Sequence, residues 1–501
     1  MTTGSLLDMQ RSWVLLPVAV AALLITQLDS PTLPAGYVDP VALATATATA
    51  GWHCVLPHRA RQVQARATGK PPLVVTDNDP DTEPHTGTGT GTGTDSGTGS
   101  ESGAAADPGT GSGAGTESGT GSSTPPNATE DSSPGRPRPI PNFGTGAGKN
   151  PKAQINGELT GSDSTESFQI PMRAGEVLGA TVSGGAHQLS VRDPKGVLVE
   201  GSTEDRASSY PQSSPLPGGG NASVDHVAAV TGTHVLTVSK GTGAYQATVV
   251  ILDPPSSEPQ RIYLDFTGPS VDTRIFGQDT GAQQPRPMSP LKSFLAAWGL
   301  RPSDEPALIQ KITDQVTTNL NAAGGARIQV TSSSRSANIW GQPDVSRVVI
   351  GGTAAEAGID TVGISESVDP GNFDRTETAL VLLDSLSRPA TEAISLNHYL
   401  VSGGDRLTFI AHAVGNIASH EAGHFLGSWH TDPNSGRHDL MAPGDLVGAF
   451  GYGPDGIGGT ADDTRPKFGQ DSFAPSEGFT GTEDTRNRTE VGLGGGRPGA
   501  S

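Results

Sequence analysis

His420-Glu421-Ala422-Gly423-His424-Phe425-Leu426-Gly427-Ser428-Trp429-His430 is the stretch around which this chain is arranged. Four residues along an α-helix is little more than one turn, so His420 and His424 share a face. Two imidazoles so placed can reach one zinc ion, which takes nitrogen at about 2.0–2.1 Å. Glu421 lies beside them and is not needed as a ligand. Its carboxylate suits the removal of a proton from a water held at the metal. Gly427 can take the positive φ that ends a helix, and the returning chain then offers His430 as a third nitrogen. Three protein ligands with a fourth position left for water make a catalytic zinc site, whereas a structural site is closed by four side chains. Chance assembly of this spacing from the chain's residue frequencies falls below roughly one in ten thousand.

The string fits the H-E-x-x-H-x-x-G-x-x-H pattern at every fixed position, and Asp439-Leu440-Met441-Ala442-Pro443 follows it. On these residues the chain resembles the metzincin zinc peptidases. That resemblance implies zinc on His420, His424 and His430, Glu421 as general base, and Met441 in a methionine turn beneath the metal. It also implies an upper α/β half, a lower loop-rich half, and a protein or peptide substrate between them. Thr431 after the third histidine and Pro443 after Met441 match no particular subfamily, so the resemblance stops at the clan.

The chain has 501 residues, which predicts several domains, and only 33% of them are hydrophobic while Gly numbers 68 and Pro 40. So polar and broken a composition cannot fold into one core, and part of the chain is predicted to be disordered. A formal charge of -20 argues against a nucleic-acid surface, which needs clustered Lys and Arg. Cys54 stands alone, so no intramolecular disulfide forms, and stability must come from core size or bound metal.

Trp13–Ile25 is an apolar run of signal-peptide length preceded by Arg11, which predicts export with a signal over 1–35. No stable membrane anchor is expected once it is removed. Residues 36–85 read as a leader or pro-segment. Within it Cys54 has three readings: a lipid attachment site, a thiolate that reaches the zinc as in the latent forms of some metzincins, or neither. Residues 86–149 are a Gly/Thr/Ser-rich linker without the apolar side chains that would offset chain entropy. Residues 150–253 carry short alternating runs, among them Ser167–Ile170 and Gln188–Val191. His234–Val238 and Tyr245–Ile251 flank Lys240–Gly243, which predicts a hairpin and, with the rest, a small all-β sandwich. This region resembles the pre-peptidase C-terminal domain found beside secreted bacterial peptidases.

Residues 254–485 read as an α+β, metzincin-like catalytic domain. Strands are predicted at Arg261–Phe266, Ile328–Thr331, Arg347–Ile350 and Ala379–Leu383, with an edge strand near Val362–Ser365 open to an extended peptide. Helices are predicted over Asp304–Asn321, with Ser303 as N-cap, and over Leu407–Gly427. His412 and His438 are rival histidines, the first too far along the helix and the second off the required spacing. Asp455, Asp462 and Asp463 in a glycine-rich loop suit either calcium or an ordinary acidic turn. Residues 486–501 read as a flexible tail. The reading is a secreted zinc endopeptidase. A silent metzincin-fold binding or adhesion module and a metal-dependent hydrolase of a non-peptide bond are its alternatives.

Overall fold

In the β-region two strands do most of the work because each is long enough to serve both layers. The computed structural model describes residues 136–140, 143, 150–254, 260–277, 284–324 and 328–494. The expected signal segment, the leader with Cys54, and most of the linker lie outside the described residues. All described residues belong to one unit, Gly51–Ser501. The fold is mixed α/β with sheets predominating. No helix among the described residues is long and apolar enough to cross a membrane.

The β-region comprises β1 (Arg138–Pro139), β2 (Lys152–Leu159), β3 (Thr165–Met172), β4 (Val177–Arg192), β5 (Leu198–Ser202), β6 (Ala222–Val224) and β7 (Gly232–Leu252). β4 runs antiparallel to β7, while β2 and β3 share the other edge of β7, one at each end. Buried side chains change parity midway along both long strands. Leu178, Ala180 and Val182 give way to Leu189 and Val191, and Leu236 and Val238 give way to Tyr245, Ala247 and Val249. All of them join one core. The change coincides with a register shift between Gly184 and Ala186 and with positive φ at Gly184, Lys240, Gly241 and Gly243. The strands therefore bend there, and both halves of each contribute to one shared core.

The expected hairpin at Lys240–Gly243 is thus replaced by a bend in a continuous strand. Glycines with positive φ reverse a chain or merely kink it, and here β4 continues alongside and holds the second outcome. At Gly185 a Cβ would lie 2.3 Å from the Thr242 carbonyl oxygen, so the two bends nest only without a side chain. The linker boundary also moves. Arg138 and Pro139 pair with β3, and Ile140 and Phe143 are buried in the sandwich core.

The second sheet comprises β8 (Arg261–Asp265), β11 (Gln329–Ser332), β12 (Val345–Ile350), β13 (Gly363–Ser365) and β14 (Thr378–Val381), in the order β11-β8-β12-β14-β13. Short strands β9 (Ser270–Val271) and β10 (Arg286–Pro287) form a separate pair. All five main strands are parallel except β13, which runs antiparallel at one edge. Ile262, Leu264, Val348 and Ile350 face one apolar cluster, and Val349, Ile364 and Leu380 face another. A sheet buried on both faces explains strands that read as unbroken apolar runs.

Helices α1 (Glu305–Ala322) and α2 (Arg406–Phe425) cover the first face. α1 buries Leu308, Ile312, Val316 and Leu320 at helical spacing. Its expected cap, Ser303, lies instead within a 3-10 turn, Pro302–Asp304, and the N-cap position falls to Asp304. α2 is buried almost all round after Thr408, and Asp405 caps it by accepting a hydrogen bond from the Thr408 amide at 3.1 Å. Past α2 the chain is largely irregular, as expected, with β15 (Gln470–Ser472), β16 (Phe479–Thr480) and β17 (Thr482–Asp484) as short strands. The expected tail is otherwise. Helix α3 (Thr485–Gly492) is capped by Asp484 and buries Arg488, Thr489 and Val491.

Candidate metal centre

The last two turns of α2 place His420, Glu421 and His424 in the interior, all at 1% exposure or less. Gly427 ends this run with φ of 102°. A Cβ there would lie 2.8 Å from the Pro370 Cα, so glycine is needed both for the turn and for the close passage. Three residues later His430, buried at 3% exposure, rejoins the pair. One nitrogen from each of His420, His424 and His430 lies within 4.8 Å of the others. It is the one group of three or more metal-capable side chains so gathered among the described residues.

Hydrogen bonds define which nitrogens face inward. His420 Nδ1 donates to the Leu440 carbonyl at 2.6 Å, and His424 Nδ1 donates to the Ser428 carbonyl at 2.9 Å. His430 Nδ1 lies 2.5 Å from the Glu477 carboxylate. A carbonyl accepts only, so Nδ1 carries the proton in the first two rings. Burial, and then the neighbouring His430 ring, push both of these histidines well below their ordinary pKa, which favours their neutral form. Their Nε2 atoms stand 3.2 Å apart. Two nitrogens at 2.0–2.1 Å from a tetrahedral zinc would be about 3.3 Å apart, close to that separation. His430 Nε2 is buried and has no hydrogen-bond partner of its own. The three histidines therefore fit a metal ion that takes imidazole nitrogen.

The turn Asp439–Ala442 backs this arrangement. Met441 is fully buried, and its Sδ would lie 2.5 Å from a Cβ at Gly423, so it packs directly under the histidine helix. The Met441 amide is fixed by Asp439 Oδ1 at 2.8 Å, and its carbonyl accepts from Thr431 N at 3.0 Å. One turn thus supports the helix, orients His420 through Leu440, and holds the chain just after His430. Glu421 points toward the edge strand. A Cβ at Gly363 would stand 2.0 Å from Glu421 Oε1, so β13 passes flush against the carboxylate.

The rival histidines stay out. His412 is half-buried on α2, and His438, at φ 53°, pairs with Asp445 through Nδ1 at 2.7 Å. In the acidic loop the carboxylates are engaged by the loop itself. Asp455 Oδ1 accepts from Ile457 N at 2.8 Å, Asp462 Oδ2 from Asp455 N at 3.2 Å, and Asp463 from Gly459 N and Thr460 N at 3.0 and 3.1 Å. Oxygens that satisfy the loop's own amides shape a turn, and the three carboxylates do not gather as the three histidines do. Glu477 escaped sequence reasoning. It lies 47 residues beyond His430, in Pro475-Ser476-Glu477, where no periodicity or spacing marks it.

No family model matches the sequence, and no curated protein matches it. Among solved structures, PliG of Aeromonas hydrophila, a periplasmic inhibitor of g-type lysozyme, aligns at TM-score 0.16 and 16% identity, covering 23% of this chain and 95% of its own. The Salmonella Typhimurium PliG aligns at 0.17 and 12%, covering 24% and 99%. The IMPa metallopeptidase of Pseudomonas aeruginosa, solved with an O-glycopeptide, aligns at 0.12 and 14%, covering 54% of this chain and 33% of its own. Likenesses this slight assign neither fold nor activity.

Proposed function

We propose that the chain is an exported, zinc-dependent endopeptidase of metzincin type, acting on protein or extended peptide. The observation that carries this is the convergence of three buried imidazoles, each with one nitrogen within 4.8 Å of the others, with the buried Glu421 next to the first of them in the chain. Zinc, when bound there, supplies Lewis-acid polarisation of carbonyl and water oxygens. Glu421 accepts the proton of the attacking water and returns it to the leaving amine. The Leu440 carbonyl, the Ser428 carbonyl and the Glu477 carboxylate keep each imidazole in the tautomer and orientation that ligation requires. β13 ends its sheet and passes beside Glu421, so an extended peptide added to its edge would bring a backbone carbonyl next to the base.

Two substitutions in the full chain test the reading. Glu421→Ala should retain zinc at one equivalent by metal analysis and lower peptide turnover by at least about 10²–10⁴-fold, the usual worth of a general base. His424→Ala should lose zinc and activity together, because one of three protein ligands is gone. Normal hydrolysis by a folded, zinc-loaded Glu421→Ala protein would overturn the mechanism. A wild type that binds zinc yet cleaves nothing across a broad peptide panel would favour the binding-module alternative.

A further inference from the structure

The chain segment that carries His430 is held from behind by the β-sandwich. Arg488, on α3 and 3% exposed, donates from Nη1 to Asp225 Oδ1 at 2.7 Å and meets Glu200 Oε2 through Nη2 at 3.0 Å. Asp225 follows β6 and Glu200 is on β5, so both belong to the sandwich. The same guanidinium meets Glu483 Oε2 through Nε at 3.0 Å and donates to the Gly427 carbonyl at 3.3 Å. Gly427 and Trp429 lie between the second and third histidines. Trp429 is tied twice into this cluster. Its backbone amide donates to Glu483 Oε1 at 3.1 Å, and its indole Nε1 donates to Asp225 Oδ1 at 3.0 Å. Every one of these side chains is 3% exposed or less.

A second link runs through Glu477. Two residues beyond it, β16 pairs antiparallel with β5, Phe479 opposite Ser202 and Thr480 opposite Gly201. The carboxylate that orients His430 therefore sits on a 3-10 turn, Pro475–Glu477, two residues ahead of a strand paired into the sandwich sheet. A buried fork of this kind has one geometry, since a planar guanidinium with fixed N–H directions rigidifies what it joins.

We infer that the β-sandwich is a working part of the metal centre, with Arg488 as a positioning residue that sets His430 through Gly427 and Trp429. The inference rests on the zinc reading above. It predicts that contacts made by sandwich residues, none of them a proposed zinc ligand, control zinc affinity.

The test uses the full chain and measures the zinc dissociation constant by competition with a chromophoric chelator, alongside thermal melting of the zinc-free protein. Trp429→Phe keeps the ring packing against Phe479 while removing the indole bond to Asp225. Arg488→Met removes the fork altogether. Both are expected to weaken zinc binding about 10–100-fold, the usual cost of losing a residue that orients a metal ligand. Cobalt(II)-substituted protein should report the same loss as a changed d–d spectrum, because the third nitrogen is misplaced. Tyr245→Phe is the control for stability alone. It removes the bond from Tyr245 to Glu166 at 2.8 Å, on other strands of the sandwich, and should leave zinc affinity unchanged. Should Arg488→Met fail to fold, Trp429→Phe with Glu200→Gln decides the matter. Wild-type zinc affinity and cobalt spectra in folded variants overturn the inference while leaving the zinc reading intact. A wild type that binds no zinc overturns both.

Discussion

At the scale of the residue, the site depends on positions where a side chain is absent as much as on those where one is present. Gly363 is the sharpest case, since a Cβ there would stand 2.0 Å from Glu421 Oε1. β13 is held to β14 by pairing at Gly363, Ile364 and Ser365, and Glu421 is fully buried on a helix packed on all sides. Neither backbone can retreat cheaply, so the carboxylate must swing away. Gly363→Ala is accordingly expected to retain zinc, because no ligand is touched. Peptide turnover should fall about 10²-fold, the cost of misplacing a reacting group by roughly 1 Å. Metal analysis paired with a kcat measurement checks this, and unchanged turnover would mean that Glu421 does not act from the position seen here.

At the scale of the element, the acidic loop after α2 shows how one composition serves two purposes. Asp455, Asp462 and Asp463 carry the carboxylates and glycines of a calcium loop, yet their oxygens accept from amides of the same loop and from Thr460 Oγ1, which Asp462 Oδ1 accepts at 2.6 Å. The Asp462 carboxyl is held below its ordinary range chiefly by that hydroxyl, as expected of an ionised acceptor in a turn. Asp462→Ala should lower the melting temperature by a similar amount with calcium or with a chelator present. A calcium-dependent rise in melting temperature that this substitution abolishes would restore the loop as a cation site.

At the scale of the whole molecule, the ion cluster that joins the β-region to the segment carrying His430 gathers one guanidinium and three carboxylates, Glu200, Asp225 and Glu483. Burial pushes the Glu483 carboxyl up from 4.5 to about 8, against the pull of Arg488, so it keeps its proton over much of the neutral range. A carboxyl with a raised folded-state pKa favours folding below its unfolded value. That contribution is lost as pH climbs from about 4.5 through 8. Glu483→Gln mimics the protonated form at every pH. Its stability relative to wild type should therefore be nearly level at pH 5 and increasingly favourable toward pH 8, as read from paired denaturant titrations. A constant difference across that window would place the proton elsewhere in the cluster.

What the amino-acid order alone determined is what repeats locally. The four-residue step from His420 to His424, the glycine that releases the helix before His430, the apolar strands of the second sheet and its edge strand near Val362–Ser365 are all legible from neighbours a few residues apart. The tertiary structure decided whatever depends on partners far along the chain. Whether Lys240–Gly243 reverses the chain or bends a strand turns on β4 lying beside it, since glycine permits both. Residues after Thr485 look like a polar tail until Arg488 meets Glu200 and Asp225, more than 250 positions earlier. Glu477 acquires a role only when β16 pairs with β5 and brings its carboxylate to His430. Spacing along a helix is a local property with a fixed period, whereas a contact across hundreds of residues leaves no period in the sequence to be read.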